Sequence, residues 1–240
     1  MALALDPAII MTVDNGITSH EGVRTANRAG VEVIITDHHL PPDKLPDAYA
    51  IVNPNMVGNA FSTTTLAGVG VAYYVMGVVR SHLRKLDFFE KNQIDEPNLS
   101  NWLDLVALGT IADVVPLDRN NRILVQNGLL RMRAGRVRPG IKALCESADR
   151  SLDRLSAADL GYGLGPRLNA AGRLDDISVG IKCLLADELA EARAYAKTLG
   201  DLNQTRRQIE QDMSTEALMI MSEVPTDLSG ITLYLSLKHI

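Results

Sequence analysis

The segment IIMTVDNGITSHEGVRTANRAGVEVIITDHHL, residues 9–40, decides the fold. Two short, β-branched apolar runs, Ile9–Val13 and Val31–Ile35, flank the amphipathic stretch Ser19–Ala29. Continuous apolar runs of this length are typical of strands buried on both faces of a parallel sheet. A serine can cap the start of the stretch between them and a glycine can end it, so this stretch is predicted to be a helix. The segment therefore predicts a βαβ unit with a right-handed crossover.

Acidic and imidazole side chains follow both predicted strands. Asp14 comes directly after the first strand, and Asp37, His38 and His39 come after the second. Ligands of a parallel sheet bind beyond the carboxyl ends of its strands, so these side chains are predicted to lie side by side. Carboxylate oxygen and imidazole nitrogen together suit Mn²⁺, Fe²⁺ or Zn²⁺. A metal site is favoured over the alternative, a capped turn beside two hydrogen-bonded histidines.

A further carboxylate, Asp113, lies within the apolar segment TIADVVPL, residues 110–117. An aspartate among Ile, Ala and Val side chains is costly unless it has a partner. A hydrogen-bonded turn or helix cap could supply one, and so could a cation. Because Asp14 and His38 already predict a metal site, we favour the cation.

The rest of the chain is predicted to be mostly helical. Ala50–Asn53 is predicted to be a third short strand. Helices are predicted at Leu66–Leu86, Trp102–Leu108, Asn120–Arg133, Pro139–Ser147 and Ala157–Leu164, with a break at Gly109. From Asp187 to about Met221, apolar residues recur at helical spacing, which predicts one helix of about 50 Å. Helices of that length more often bridge two domains than lie inside one, and Ile231–Leu235 is predicted to begin a further strand.

Composition limits the function classes. With 46% apolar and 22% charged residues, the 240-residue chain has the composition of a soluble globular protein. Its net charge of −5 does not by itself indicate a nucleic-acid-binding protein. No apolar stretch is long enough to span a bilayer and no secretory signal is visible. Cys145 and Cys183 are predicted to be reduced, buried thiols, which favours a cytoplasmic location.

Two segments concentrate basic side chains. RMRAGRVRPGIK, Arg131–Lys142, has five basic residues and no acidic one, which predicts either a solvated face or a phosphate contact. In GLGPRLNAAGRLDD, residues 163–176, small residues surround Arg167, Asn169 and Arg173. A ligand backbone could approach there while guanidiniums contact its phosphates, although a helix connection with surface arginines is an alternative. The sequence has no P-loop, no Gly-x-Gly-x-x-Gly, and no serine or cysteine nucleophile with a dedicated base.

Several motifs, in this order, resemble the RecJ family: VDNGITSH, TDHH, NPN, LAGVGVA, DLVALGTIADVVPLDRNNR and GPRLNAAGRLDD. This family, in the DHH phosphoesterase superfamily, comprises bacterial 5′→3′ exonucleases specific for single-stranded DNA. The resemblance covers about residues 8–235 and is greatest to the gammaproteobacterial form. It implies an α/β fold: a parallel-sheet DHH domain with βαβ units over residues 1–186, followed by a mostly helical part and a long connector helix. It places that helix at residues 187–222 and the start of a DHHA1-type domain at residues 223–240.

The resemblance also implies a centre of two divalent cations, Mn²⁺ or Mg²⁺. Carried over residue by residue, Asp14 would bridge the cations, and His38 and Asp113 would be ligands. His39 would face the scissile phosphate or orient the site, and Asp37 would support it. These last two are the predicted catalytic residues.

The resemblance further implies that Arg167, Asn169 and Arg173 contact phosphate and DNA. The expected reaction releases nucleoside 5′-monophosphates from single-stranded DNA in repair and recombination, with a helicase and a single-strand-binding protein as possible partners. Alternatives are a phosphoesterase acting on short oligonucleotides or pAp, a non-catalytic nucleic-acid-binding module, and a purely structural α/β domain.

The sequence departs from the family pattern at both ends. The family carries an earlier motif with further metal-binding aspartates, and a glycine- and histidine-rich motif after the connector helix. Neither is found here, so we expect an internal fragment with an incomplete metal site. We therefore predict weak metal binding, little or no exonuclease activity, and association through the apolar edge strand Ile9–Val13.

Overall fold

A three-stranded parallel sheet organises the N-terminal part of the chain. The computed structural model describes residues 2–174 and 176–223. The strands pair in the order β1-β2-β3, and Ile10 lies beside Val33 in the register. Their bounds are β1 Ile9–Val13, β2 Glu32–Thr36 and β3 Ala50–Val52. The crossover between β1 and β2 is helix α1, His20–Arg28, so the predicted βαβ unit and the α/β class are confirmed.

The two faces of the sheet are covered unequally. Val33 and Ile35 of β2 are 3% and 0% exposed and pack with Val23 and Ala26 of α1. On the opposite face of β1, Ile9, Met11 and Val13 are each 44–45% exposed. The expectation of strands buried on both faces is therefore wrong for β1, because α1 packs on only one face.

Two compact units divide the described residues. One comprises residues up to Arg136 together with Leu155–Gly161, and the other comprises Val137–Arg154 and the described residues from Tyr162 onward. Besides α1, the first unit contains α2 Gly68–Lys85, α3 Phe88–Lys91, a 3₁₀ turn at Leu99–Trp102, α4 Leu103–Ala112 and α5 Arg119–Arg133. Leu66, Val71, Leu103, Val106 and Leu124 form one of its cores.

Gly109 lies inside α4, so the predicted break there is wrong. A Cβ at this position would come within 2.7 Å of Val69 Cγ1. The glycine therefore lets α4 and α2 approach closely. Similarly, Ser19 precedes α1 as predicted, but its side chain makes no capping hydrogen bond.

The second unit is helical. Its helices are α6 Pro139–Ser147, α7 Gly165–Leu174, α8 Ser178–Leu185 and α9 Leu189–Glu223, with a 3₁₀ turn at Leu152–Arg154. The 35 residues of α9 confirm the long helix predicted from periodicity. A π-helical segment, Asp159–Leu164, precedes α7 where an α-helix was predicted, and α8 was not predicted at all.

Some predictions remain as they were. The predicted domain boundary at residue 186 stays a prediction. The predicted strand Ile231–Leu235, and nearly all of the predicted domain at residues 223–240, lie outside the described residues.

Both cysteines are free and buried, as predicted, and burial raises the pKa of the Cys183 thiol to about 11. Within residues 2–174 and 176–223, no helix combines the length and apolarity required to cross a membrane.

Candidate metal centre

Asp14 is fixed at the end of β1 in a left-handed backbone conformation, with φ +67°. Its N–H donates to the Thr36 carbonyl at 2.9 Å, which extends the pairing of β1 with β2 by one residue. Its carboxylate lies against Gly68, the first residue of α2. A Cβ on Gly68 would overlap Asp14 Oδ1 and come within 2.5 Å of its Cγ. The end of one strand and the start of one helix thus form a cradle for this carboxylate.

The His38 imidazole lies between two carboxylates. Its Nε2 is 3.0 Å from Asp14 Oδ1 and 3.5 Å from Asp113 Oδ2, and its side chain is 11% exposed. Despite these short distances, the buried Nε2 makes no hydrogen bond to any described residue. Buried nitrogen atoms are normally hydrogen-bonded, so this one indicates a missing ligand.

Asp113 occupies the C-terminal cap position of α4 and is followed by Val114 at φ +58°. Burial raises the pKa of its carboxyl, His38 opposes that shift, and the charge of Asp14 adds to it. Two carboxylates that converge on one imidazole repel each other. A bound cation would relieve this repulsion.

Asp37 is 1% exposed and supports the site through hydrogen bonds. Its Oδ2 accepts from the Ile17 N–H at 2.9 Å, and its Oδ1 accepts from the His38 N–H at 2.7 Å. Oδ1 also lies 2.7 Å from His39 Nδ1. Burial alone would raise the pKa of Asp37, but these hydrogen bonds lower it below its usual value. In turn, the Asp37 hydrogen bond raises the pKa of His39, whose side chain is 60% exposed.

The donor atoms fit a divalent cation. One ligand atom each from Asp14, His38 and His39 lies within 4.8 Å of the others. Neighbouring ligands of an octahedral ion with bonds near 2.1 Å are about 3 Å apart, close to the spacing of Asp14 and Asp113 oxygens from His38 Nε2. A mixed nitrogen and oxygen set suits Mn²⁺ better than Mg²⁺, which prefers oxygen alone.

Two asparagines that sequence reasoning gave no role hold the histidine loop. Asn53 Nδ2 donates to the His39 carbonyl at 2.8 Å, and Asn55 Nδ2 donates to the His38 carbonyl at 2.6 Å. Asn53 is 6% exposed. The available signal was positional, because Asn53 directly follows β3 and Asn55 comes two residues later, at the same sheet edge as the predicted ligands.

The residues predicted to contact DNA lie in the second unit. Arg167 donates to the carbonyls of Gly163 at 2.7 Å and Ser147 at 3.0 Å. Its guanidinium is therefore held by protein carbonyls, and its predicted contact with phosphate stays a prediction. Asn169 and Arg173 on α7 are exposed.

Part of the basic run Arg131–Lys142 is also engaged with protein groups. Arg133 donates to the Leu155 carbonyl and Arg131 to Asn101 Oδ1. A phosphate contact by this run stays a prediction.

The DHH family, N-terminal domain, matches residues 4–110 of this chain. Residues 4–110 are therefore similar to a DHH-family N-terminal domain. The matched region contains β1, β2, β3 and most of α4, and with them Asp14, His38 and His39. Asp113 follows its matched end by three residues.

Curated relatives of this chain are single-stranded-DNA-specific exonucleases called RecJ. The relative from Salmonella typhimurium is 55% identical over 238 residues, 99% of this chain and 41% of the relative. The relative from Escherichia coli is 54% identical over 96% of this chain and 40% of its own length. The chain therefore spans about two fifths of these relatives. The predicted resemblance is confirmed.

Solved structures agree with this similarity. A crystal structure of exonuclease RecJ bound to manganese matches with a TM-score of 0.72 and 33% identity, covering 90% of this chain and 51% of that one. A crystal structure of RecJ in complex with Mn²⁺ from Thermus thermophilus also matches with a TM-score of 0.72 and 33% identity, and there the match covers 31% of the solved chain.

Proposed function

We propose that this chain supplies the DHH part of a divalent-cation-dependent exonuclease that degrades single-stranded DNA from the 5′ end to nucleoside 5′-monophosphates. The observation that carries the proposal is the buried His38 Nε2, which lies between two carboxylate oxygens and makes no hydrogen bond to a described residue. The naming of curated relatives as single-stranded-DNA-specific exonucleases supports the choice of substrate.

In this proposal each residue of the cluster has a defined task. Asp14, His38 and Asp113 hold the cation. When bound, divalent cations polarise a phosphodiester and offset the charge that develops during its hydrolysis. Asp37 fixes the His39 ring through Nδ1, which leaves Nε2 for a phosphate oxygen. Asn53 and Asn55 hold the backbone of the histidine loop in position.

The second unit is proposed to hold the strand. Asn169 and Arg173 are exposed on α7 and can contact phosphates without a rearrangement of the helix. A role in DNA repair and recombination would place the protein in the cytoplasm and would make a helicase and a single-strand-binding protein its functional partners.

A second candidate is a phosphoesterase on short oligonucleotides or pAp, since the cation cluster itself suits any phosphodiester. The matched RecJ relatives favour the DNA exonuclease, because the similarity extends over 99% of this chain, including α7 and α9. The two candidates differ in the length of strand that they accept.

A chimera tests the proposal. The 238 matched residues of the Salmonella typhimurium relative are replaced by those of this chain, and shortening of a 3′-labelled single strand is followed with Mn²⁺. We expect digestion with release of nucleoside 5′-monophosphates, and loss of digestion in the His38→Ala chimera.

Two outcomes would contradict this assignment. Digestion that persists in the His38→Ala chimera would remove the proposed metal centre from the reaction. Cleavage of dinucleotides while long strands stay intact would replace the exonuclease with the short-substrate phosphoesterase.

A further inference from the structure

A cavity of about 480 Å³ in the second unit is lined by basic side chains. Arg167 of α7 and Lys197 and Arg207 of α9 line it, whereas Asp201 is the single acidic side chain in its described lining. The charged lining therefore carries a net charge of +2. Of these four residues, only Arg167 belongs to the motif GLGPRLNAAGRLDD, residues 163–176.

We propose that this cavity binds the backbone phosphates of a nucleic-acid strand, with Lys197 and Arg207 as contacts and Arg167 as a fixed central charge. The proposal rests on the proposed function for the identity of the anion. It adds a binding site on α9 to the metal centre of the first unit.

Protein groups hold the Arg167 side chain in place, but they leave its positive charge uncompensated. Two of its nitrogen atoms donate to the Gly163 and Ser147 carbonyls, while its Nε is buried without a hydrogen-bond partner among the described residues. Neither carbonyl neutralises the guanidinium. Burial lowers the pKa of Arg167, and the neighbouring charges of Arg207 and Arg150 lower it further. An anion in the cavity would offset this concentration of positive charge.

Lys197 and Arg207 of the cavity differ from the other two arginines of α9, which form ion pairs. Arg193 pairs with Glu146, and Arg206 pairs with Glu210. No ion pair or hydrogen bond involves the Lys197 or Arg207 side chain within the described ranges. Both side chains are exposed, so a ligand can reach them. The helix thus neutralises its arginines elsewhere and leaves the cavity positive.

The spacing along α9 suits an extended strand. Lys197, Asp201, Gln204 and Arg207 recur every three or four residues on one face, and the two cations are about 15 Å apart along the axis. Between them lies Gly200, where a Cβ would be 3.0 Å from Ser147 Oγ. The small residue keeps α6 close and leaves the cavity open above it.

Binding of a fluorescent twelve-nucleotide oligothymidylate to the 240-residue chain tests the site, with anisotropy measured over a range of salt concentrations. The test variant is Lys197→Gln/Arg207→Gln. The matched control is Arg154→Gln/Lys182→Gln, which removes the same charge from exposed positions of the same unit outside the cavity. A methylphosphonate oligothymidylate, whose backbone is uncharged, separates phosphate contacts from base contacts.

We expect the cavity variant to bind the normal oligonucleotide about three- to tenfold more weakly at low salt. We also expect its slope of log affinity against log salt to fall by about 1.4, because each lost phosphate contact on a single strand contributes about 0.7. The control variant should keep most of both quantities, and the methylphosphonate strand should not distinguish the variants.

Equal effects of the two variants would overturn the proposal, since net charge alone would then explain binding. So would undetectable binding by the unmodified chain at low salt. In both cases the proposed function would still be judged separately, because hydrolysis by the chimera does not depend on the cavity variant.

Discussion

At the scale of single residues, Gly68 is the position where a methyl group should do most damage to the metal centre. Gly68→Ala would push a Cβ into the Asp14 carboxylate, with 2.5 Å to Cγ. Displacement of a ligand by its supporting residue typically weakens metal binding by about 10- to 100-fold. We expect Mn²⁺ affinity, measured by electron paramagnetic resonance, to fall by about this factor.

Gly77→Ala is the matched control for that prediction. It lies on the same helix, and its new Cβ would be 3.8 Å from Leu99 Cδ1, an ordinary contact. Alanine is favoured over glycine inside a helix by about 1 kcal/mol, so this variant should unfold at a slightly higher temperature and bind Mn²⁺ unchanged. Unaltered Mn²⁺ affinity in Gly68→Ala would show that the cradle does not position Asp14.

Asp37→Asn tests the support beneath His39. The amide keeps the shape of the carboxylate but loses its charge. Its NH₂ group must face either the Ile17 N–H or the N–H groups of the histidine loop, and none of these can accept a hydrogen bond. We expect destabilisation of about 1–3 kcal/mol in urea unfolding, the cost of a buried unsatisfied group.

The same variant should lower the pKa of His39. Asp37 raises that pKa by its hydrogen bond and its charge, so removal of the charge should bring it down towards the usual value. The ring-proton NMR shift of His39 followed against pH measures this, with the metal-free chain in both samples. An unmoved midpoint would contradict the role assigned to Asp37.

At the scale of elements, Asp118 joins the start of α5 to the loop before α2. It caps α5 by accepting from the Asn121 N–H at 2.8 Å, and it accepts from the Thr65 hydroxyl at 3.0 Å and from the Thr63 hydroxyl. Asp118→Ala should destabilise the chain by about 1–2 kcal/mol, the usual cost of a lost cap. Urea unfolding at pH 7 measures it.

Asp118 also gives stability a dependence on pH. Burial alone would raise its pKa, but the hydrogen bonds from Thr63, Asn121 and Thr65 lower it below the usual value. A lowered pKa in the folded state contributes stability above the unfolded-state pKa of about 3.9, and this is lost as pH falls through the folded-state value. Asp118→Asn keeps the cap, so its difference from the unmodified chain should shrink below about pH 4. A difference that grows there would contradict this assignment.

Elements with a strong periodic signal were predicted well from the sequence. Strand β1 and helix α6 have the predicted bounds, and α9 follows from apolar spacing over many turns. Local signals failed where tertiary packing decides the outcome. Gly109 resembles a helix break, but the packing of Val69 against it requires a glycine within α4.

At the scale of the whole molecule, the open face of β1 should govern self-association. Ile9, Met11 and Val13 are 44–45% exposed on a strand at the edge of the described sheet. Such edges promote pairing between chains, and a lysine opposes it. Met11→Lys should therefore shift the concentration-dependent mass in analytical ultracentrifugation towards the monomer.

Val78→Lys is the control for this prediction, because Val78 is 69% exposed and lies on α2, not on a strand of the sheet. It introduces the same charge. An equal shift in both variants would show that association follows net charge, and no shift in Met11→Lys would remove β1 from the contact.

The candidate centre could be predicted only in part. Parallel-strand topology is enough to bring Asp14 next to His38, because ligands collect at the carboxyl ends of strands. The contribution of Gly68 depends on where α2 begins in space, and the geometry of the Arg167 side chain depends in part on the Ser147 carbonyl, 20 residues earlier in the sequence. Neither relationship leaves a periodic or compositional trace.

Asn53 and Asn55 donate hydrogen bonds to the backbone carbonyls of the histidine loop and not to its imidazoles. The backbone path of the loop therefore does not depend on the side chain at position 38. A chimera carrying His38→Ala should retain the backbone shape of its parent while lacking the nitrogen that completes the centre. This chimera should therefore bind a strand without cutting it, so the complex can be crystallised with the loop in its normal shape. A variant whose loop had collapsed would show a distorted site.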